Sequence, residues 1–498
     1  SKIVIAANDG GIQMTNNILA TGGTEPVKWN MIRNYQTLQY YHVAIDPVAT
    51  QMNFIGGAQD NGTQLRIDPS NFHTRIFSGD GGAAGIGVLN DNTYTLYGSS
   101  QLGDIYRYMP ADFTNISPSG LTPFPGIQGY GEFITYFKLD QDNPEDIYYA
   151  NFNRLFRTDK ASTVNSSEWE ELDGVGAAVN PSNPSSGTDI GIRALEVSRG
   201  PYRPSHALYM GTSDGQVFRL DDPRNAPLNS TPVDITPDQL KAFRNDGTGV
   251  NIADIAVNPN NDSEIMIVVS NYSVTSSSGV ESNDFNIYWT NNAKTATPTW
   301  KKAEGTLTLP SIRSCMIINK KVGSVSTTEY YVGTSVGLYS AVNIGSTLQA
   351  NGQVNWVREG GNILNFALVN TMDLRPSDNT LLVGTHGNGL FYGAIGNPDF
   401  HPDQPTGIDD PVRNDKNFIV QAAPTIVQNT INYTVGNMFS IRKITLAITN
   451  LNGQVILRKE APYANGQLFM PPMPKGVYVL TIISDDNKQQ YVKKVVKE

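Results

Sequence analysis

A chain of 498 residues, 39% hydrophobic and 16% charged, is long enough for more than one globular domain and too apolar to be disordered throughout. Its net charge of −10 is uneven: residues 416–498 hold ten Lys or Arg against four Asp or Glu, which leaves −16 on residues 1–415 and argues against nucleic acid as a partner, because that field repels phosphates. The lone Cys315 excludes an internal disulfide framework and a cysteine zinc site, and no run of about 18 apolar residues marks a transmembrane helix.

The first residues, "SKIVIAAND", have neither a basic n-region nor a long apolar core, so any signal peptide is expected to have been removed or to lie upstream. From residue 3, "KIVIAANDGGIQMTNN" reads as two strands around a tight reversal, followed by Trp29. Next, "IDPVATQMNFIGGAQDNGTQLRI" reads as strand end, Asp-Pro turn, apolar strand, Gly-rich reversal and strand. The same order returns in "KLDQDNPEDIYYANFNRLFRTD", "RGPYRPSHALYMGTSDGQVFRLD", "AVNPNNDSEIMIVVSNY", "TTEYYVGTSVGLYSA" and "DLRPSDNTLLVGTHGNGLFYGA". "NTYTLYGSSQLGDIYRYMP" matches its second half.

Eight hairpins therefore begin near residues 3, 53, 94, 147, 207, 264, 330 and 381. Their spacing centres on the roughly 40–50 residues of a propeller blade. The fold class read from this is all-β: a β-propeller of seven or eight blades over 1–395, with room for membership of a larger propeller region. Leu208, Met210, Val217 and Phe218 supply packed layers between blades, and helical periodicity is hard to find. The first repeat lacks a first strand and the last lacks a Trp-bearing fourth. Two arrangements follow: blades upstream of residue 1, or a closure blade pairing residues 2–14 with 366–395.

Trp29, Trp169, Trp300 and Trp356 each trail a hairpin, as in "MTNNILATGGTEPVKW", "RTDKASTVNSSEW" and "WTNNAKTATPTW". This pattern resembles the Asp-box turn of sialidase and sortilin-like propellers, which implies that these Trp side chains pack between blades. "YYHVAIDP", "GGAQDNGT" and "FSGDGG" together resemble the sortilin-like BNR-repeat propellers of bacterial surfaces, some relatives of which cleave xyloglucan. That resemblance implies a glycan-related role.

Several residues invite a chemical reading. Asp60 and Asp80 lie on successive Gly-rich turns, and glycosidases need two carboxylates, about 5–5.5 Å apart when retaining and about 6.5–9.5 Å when inverting. Turn chemistry accounts for both equally, because Asp tolerates left-handed backbone and bonds its own chain. Asp140 and Asp142 in "LDQDNPED" are spaced in a way similar to a calcium loop, but the Gly and twelfth-position Glu of an EF-hand are missing; a plain turn is the competing reading, and calcium the only cofactor the spacing admits. Tyr35, Tyr40 and Tyr41 in "NYQTLQYY", with Gln59 and His386 on two reversals, are candidates for a ligand-binding face, as is Trp289, the one Trp not assigned to blade packing. The five His form no ligand pattern, and no nucleophile-elbow, Walker or Rossmann motif occurs.

Residues 396–417, "GNPDFHPDQPTGIDDPVRNDKN", read as an extended linker. From 418 to 498, alternating strands with turns at Asn452-Gly453, Asn465-Gly466 and Lys475-Gly476 predict a small β-sandwich. "NLNGQV", "MPKGVYVL" and "YVKKVVK" resemble the C-terminal sorting domain of proteins exported by the Bacteroidetes type IX secretion system. The resemblance makes Gly453, Gly476, Tyr478, Lys493 and Lys494 part of the sorting signal, and makes the translocon and its shuttle proteins the partners of 418–498. It also implies passage through periplasm and outer membrane to the cell surface or medium. The whole reads as a surface-exported propeller acting as a binding or structural module for a glycan or an outer-membrane protein. A xyloglucanase-like glycoside hydrolase and an accessory subunit of an outer-membrane complex are the alternatives.

Overall fold

A computed structural model describes the chain outside residues 1, 9–10, 21–25, 33–36, 49–50, 71–72, 91, 110–111, 122–128, 185–189, 246–249, 271–285, 308–310, 403–418, 424–425, 437–442, 451–453, 463–465, 485–489 and 498. The protein is all-β, with two compact units: residues 1–89 with 94–404, and residues 405–498 with 90–93.

All eight hairpins form. Seven of them are preceded by a first strand and belong to consecutive antiparallel sheets, numbered here 1 to 7: residues 40–77, 84–115, 136–171, 192–234, 252–302, 312–358 and 369–394. Sheet 7 has three strands, and sheet 6 gains a fifth from Asn397–Pro398. Every second strand holds at least five consecutive buried positions, and "ALYMGT" at Ala207–Thr212 is buried throughout. The reason is that both faces of the strand are covered, so the usual apolar–polar alternation gives way to apolar residues throughout. Leu208, Met210 and Phe218 face sheet 3, where they meet Tyr148 and Leu155; Tyr209 and Val217 face sheet 5, where they meet Ile255 and Ile267.

A separate core joins every consecutive pair. Ile55 and Leu65 meet Ile86 and Leu96 between sheets 1 and 2, Tyr97 and Ile105 meet Phe137 and Tyr149 between 2 and 3, Met266 and Trp289 meet Ile317 and Val332 between 5 and 6, and Ile318 and Tyr331 meet Leu374 and Leu381 between 6 and 7. Sheet 7 also packs on sheet 1, where Leu382 meets Tyr40, Val43, Ile45 and Phe54. Polar bonds reinforce that seam. Asp373 accepts Ile45 N at 2.8 Å, Asn370 Nδ2 donates to Tyr40 O at 2.9 Å, and the fully buried Arg375 donates to the carbonyls of Asp46, Val48 and Gln51 while pairing with Asp378 at 2.8 Å. The closure blade of residues 2–14 with 366–395 is therefore not formed: Val4–Asn8 and Gly11–Thr15 pair with each other and with Asn30–Met31 in a sheet of their own.

Three of the four Trp assigned to blade packing do pack so. Trp169, Trp300 and Trp356 each precede the fourth strand of a sheet and donate Nε1 to a carbonyl just beyond the fourth strand of the preceding one: Ile116, Ile235 and Ala303, at 2.7–2.8 Å. Trp29 is 40% exposed, because no sheet precedes its own among the described residues. Helices, not anticipated from the sequence, occupy four short connections: Asp173–Val179, Asp238–Asn245, Ile344–Gln349 and Gly361–Leu364. The start of the expected linker is also structured. Pro398 pairs with Lys320, and Asp399 meets Lys321 at 3.2 Å; residues 403–417 lie outside the described residues.

In the second unit, Ile419–Ala423, Thr430–Gly436 and Gly466–Phe469 form one sheet. Lys443–Asn450, Val455–Pro462, Gly476–Ser484 and Gln490–Lys497 form the other, extended by Ile426–Val427, which pairs in parallel with the last strand. Ile431 and Leu468 of one sheet share a core with Leu446, Leu480 and Val495 of the other.

Arg375→Met should remove the donor from the buried Asp46 carbonyl and the part-buried carbonyls of Val48 and Gln51, and take from Asp378 its ion-pair partner. We expect the first unit to lose about 3–5 kcal/mol of unfolding free energy, read by urea denaturation followed through tryptophan fluorescence. Asn370→Ala at the same seam should cost about 1 kcal/mol.

Candidate functional site

The Gly-rich stretches "GGAQDNGT" and "FSGDGG" serve a close approach of backbone to backbone. A Cβ on Gly57 would lie 2.0 Å from the Gly82 carbonyl, so only glycine lets the second strand of sheet 1 pass this close to the entry of sheet 2. Their tips are thereby locked together. Asp60, in the left-handed region at φ 57°, donates its backbone N–H to Asp80 Oδ1 at 2.7 Å; Gly81 N donates to Ala58 O at 3.0 Å, and Asp80 N to Gln101 Oε1 at 2.9 Å. Tyr41 donates its phenol to Gln59 Oε1 at 2.9 Å, and burial followed by the Asp80 and Asp60 charges raises its pKa.

The structure thus brings Tyr41, Gln59, Asp60 and Asp80 to one rim. His386 joins through the backbone, bridging to Gln39, whose carbonyl takes Gln59 N at 2.9 Å. Tyr40 does not join. It is fully buried in the seam between sheets 7 and 1, with its phenol 3.2 Å from His73 Nδ1, while the register shift after it re-aims Tyr41. Tyr35 lies outside the described residues. Trp289, 3% exposed and donating to Glu264 at 2.9 Å, is a core residue.

Asp140 and Asp142 are committed to structure. Asp140, fully buried, accepts the N–H groups of Asp142 and Asn143 at 2.9 and 3.0 Å and so closes its own turn; burial and the neighbouring Asp142 and Asp146 carboxylates raise its pKa. Asp142 pairs with Arg199 at 2.8 Å across to sheet 4. No cluster of three or more metal-ligating side chains occurs among the described residues.

Sequence reasoning missed the feature next to this rim. In sheets 1, 4, 6 and 7 the turn between second and third strands is bonded to the residue just before the first strand: Gln59 to Gln39, Ser213 to Gly191, Ser335 to Ser311 and His386 to Leu368. Two residues further on, Tyr41, Arg193, Arg313 and Asn370 occupy equivalent positions, each at a register shift that leaves it out of the ladder. Ala253 of sheet 5 does the same. A bulge at that position re-aims the side chain. Arg193, Ala253, Arg313 and Asn370 line a cavity of about 140 Å³, to which each of the seven first strands contributes: His42, Ala84, Lys138, Glu196, Asp254, Arg313 and Asp373, in chain order.

Inside, charges are matched. Lys138 meets Glu196 at 2.6 Å; burial alone would lower its pKa, but Glu196 and Asp373 outweigh burial and raise it. Arg193 meets Glu132 at 2.6 Å. Asp254 accepts Cys315 N and Ile255 N, both at 2.9 Å, yet burial pushes it up to about 7. His42 is held down to about 4 by burial and by Lys138. Burial pushes the Cys315 thiol up, which leaves it a poor nucleophile.

In the second unit, Gly476 opens its strand opposite Lys497, and Tyr478 donates to Pro474 O at 2.8 Å. Lys493 and Lys494 lie on the last strand opposite Leu480 and Val479, with Lys494 exposed; Gly453 lies outside the described residues. Residues 423–498 match the secretion system C-terminal sorting domain family. No curated protein matches the chain. Among solved structures, Raptor from Chaetomium thermophilum is similar at 13% identity and a TM-score of 0.45 over 73% of this chain. This chain spans 29% of that one, and so remote a likeness carries neither fold nor function across. The sorting domain indicates export through the type IX secretion system to the cell surface or extracellular space.

Two outcomes follow. Deleting 416–498 should trap the remainder in the periplasm, as fractionation with surface proteolysis would show. The second concerns pH. Asp254 and Glu304, both pushed up to about 7 by burial, keep protons in the folded state that the unfolded chain has released, so their contribution to stability falls as pH rises through 7. His42 and His206, both held down to about 4, act in the opposite sense, but only below the ordinary histidine value of 6.5. Between 6.5 and about pH 8 the raised carboxylates, Asp140 with them, set the trend: urea titrations should show stability falling, with a flatter slope in the Asp254→Asn, Glu304→Gln double variant.

Proposed function

We propose that the first unit is a seven-bladed β-propeller, shown at the cell surface or released from it, that binds a glycan at the mouth of its central cavity. Sheets 1 to 7 are the blades, and the packing of sheet 7 on sheet 1 supports closure. The observation that carries the binding reading is the repeated bulge, which brings Arg193, Arg313 and Asn370 to the lining of a cavity bounded by all seven first strands.

Size limits what enters. Drug-sized ligands take pockets of about 300–1,000 Å³, so a cavity of about 140 Å³ admits one terminal group of a longer ligand. The rim built by Tyr41, Gln59, Asp60 and Asp80 carries side-chain oxygens of the kind that accept from sugar hydroxyls.

Hydrolysis with Asp60 and Asp80 is the second reading, favoured by their meeting on one rim. Against it, Asp80 Oδ1 is engaged in holding Asp60 N. A glycan array and a hydrolysis screen on one preparation separate the two. Binding without turnover, preserved within a few-fold in Asp80→Asn, is expected; turnover that falls about 10²-fold or more in that variant would install the hydrolase instead.

A further inference from the structure

Arg313 breaks the charge matching of the cavity. Lys138, Arg193 and Arg199, the other cationic side chains that line it, each meet a carboxylate at 2.6–2.8 Å. Arg313 has no hydrogen-bond or ion-pair partner among the described residues, and its Nε is sealed from solvent without an acceptor. Sealing off a guanidinium N–H with nothing to receive it costs free energy, which the fold could have avoided with the apolar residue that sheet 5 carries at the equivalent bulge, Ala253. The carboxylates that share the cavity are engaged elsewhere: Glu196 with Lys138, Asp254 with Cys315 N and Asp373 with Ile45 N. Asn370 already donates its amide to Tyr40 O, and the Arg313 charge, after burial, helps hold His386 below its ordinary pKa and therefore neutral.

We infer that Arg313 receives an oxyanion of the ligand, the carboxylate or sulfate of an acidic saccharide. A planar guanidinium holds such a group through two parallel N–H···O bonds, and the half-buried position strengthens them by excluding water. The saccharide is favoured over a peptide carboxylate by the rim, where side-chain oxygens, Asp80 among them, are of the kind that accept from sugar hydroxyls.

The inference rests on the glycan-binding reading, and two arms keep their failures apart. In the first, inorganic sulfate is titrated calorimetrically into the full chain and into Arg313→Met. Saturable sulfate binding lost in Arg313→Met supports an anion site whatever the glycan array shows; no binding to the native chain, or undiminished binding in the variant, overturns it. In the second, galacturonate is compared with its uncharged methyl ester. At least tenfold preference for the acid, reduced to parity in Arg313→Met and retained in part in Arg313→Lys, is expected. Equal binding of acid and ester overturns the inference while leaving a neutral-glycan reading intact. Tighter binding of a peptide C-terminal carboxylate than of galacturonate would overturn the saccharide assignment. Arg313→Lys also guards against misfolding, since a folded Lys variant that binds no anion counts against the site.

Discussion

The seam between sheets 7 and 1 is the contact on which the first unit depends. Six other inter-sheet cores join sheets adjacent in sequence, and each forms between residues within reach of a short connection. The seventh brings Leu382 against Tyr40, Val43, Ile45 and Phe54, residues more than 300 positions away. Burying those five side chains contributes on the order of 10 kcal/mol before the entropy of closing so long a chain is subtracted. Without it, sheets 1 and 7 would each expose an apolar face, and their first strands would not face a common cavity.

The polar bonds at the seam serve a different purpose from the apolar ones. Leu382 and its partners tolerate sliding, whereas Asp373 to Ile45 N and Arg375 to three carbonyls fix the register between strands. Asp254 repeats the device between sheets 5 and 6 through Cys315 N. Carboxylates facing inward from first strands thus tie one sheet to the next, at the expense of desolvation, which pushes Asp254 up to about 7 and raises Asp373 above its ordinary value. Buried charges of this kind are kept because each is bonded. Arg313 stands out against that background for want of a partner.

The second unit is held by its own sandwich core, with the chain's last strand running between two others in its sheet. Deep placement of Tyr491 and Val495 anchors that strand, while Lys494 on the other face stays in solvent.

The local features were legible in the sequence, because turn residues and strand periodicity act over a few residues. The eight hairpins, the Gly-rich reversals, the all-β class and the C-terminal sandwich follow from turn residues, Asn-Gly and Asp-Gly among them, and from short apolar or alternating runs. The bulges were half legible: aligning the repeats sets Tyr41, Arg193, Ala253, Arg313 and Asn370 in one column, each just after an apolar or aromatic residue that begins a first strand. What that column faces was not legible. Whether a hairpin joins its neighbours or stands apart, as residues 4–31 do; which of Tyr40 and Tyr41 turns inward; whether Trp29 or Trp289 is the buried one; and whether an arginine finds a carboxylate all depend on which sheet lies alongside. Those neighbours are chosen by contacts such as Asp373 with Ile45, 328 residues apart, and no local pattern encodes a pairing over that distance. Only packing the sheets against one another decides it, because each face is satisfied by whichever complementary face the chain can bring to it.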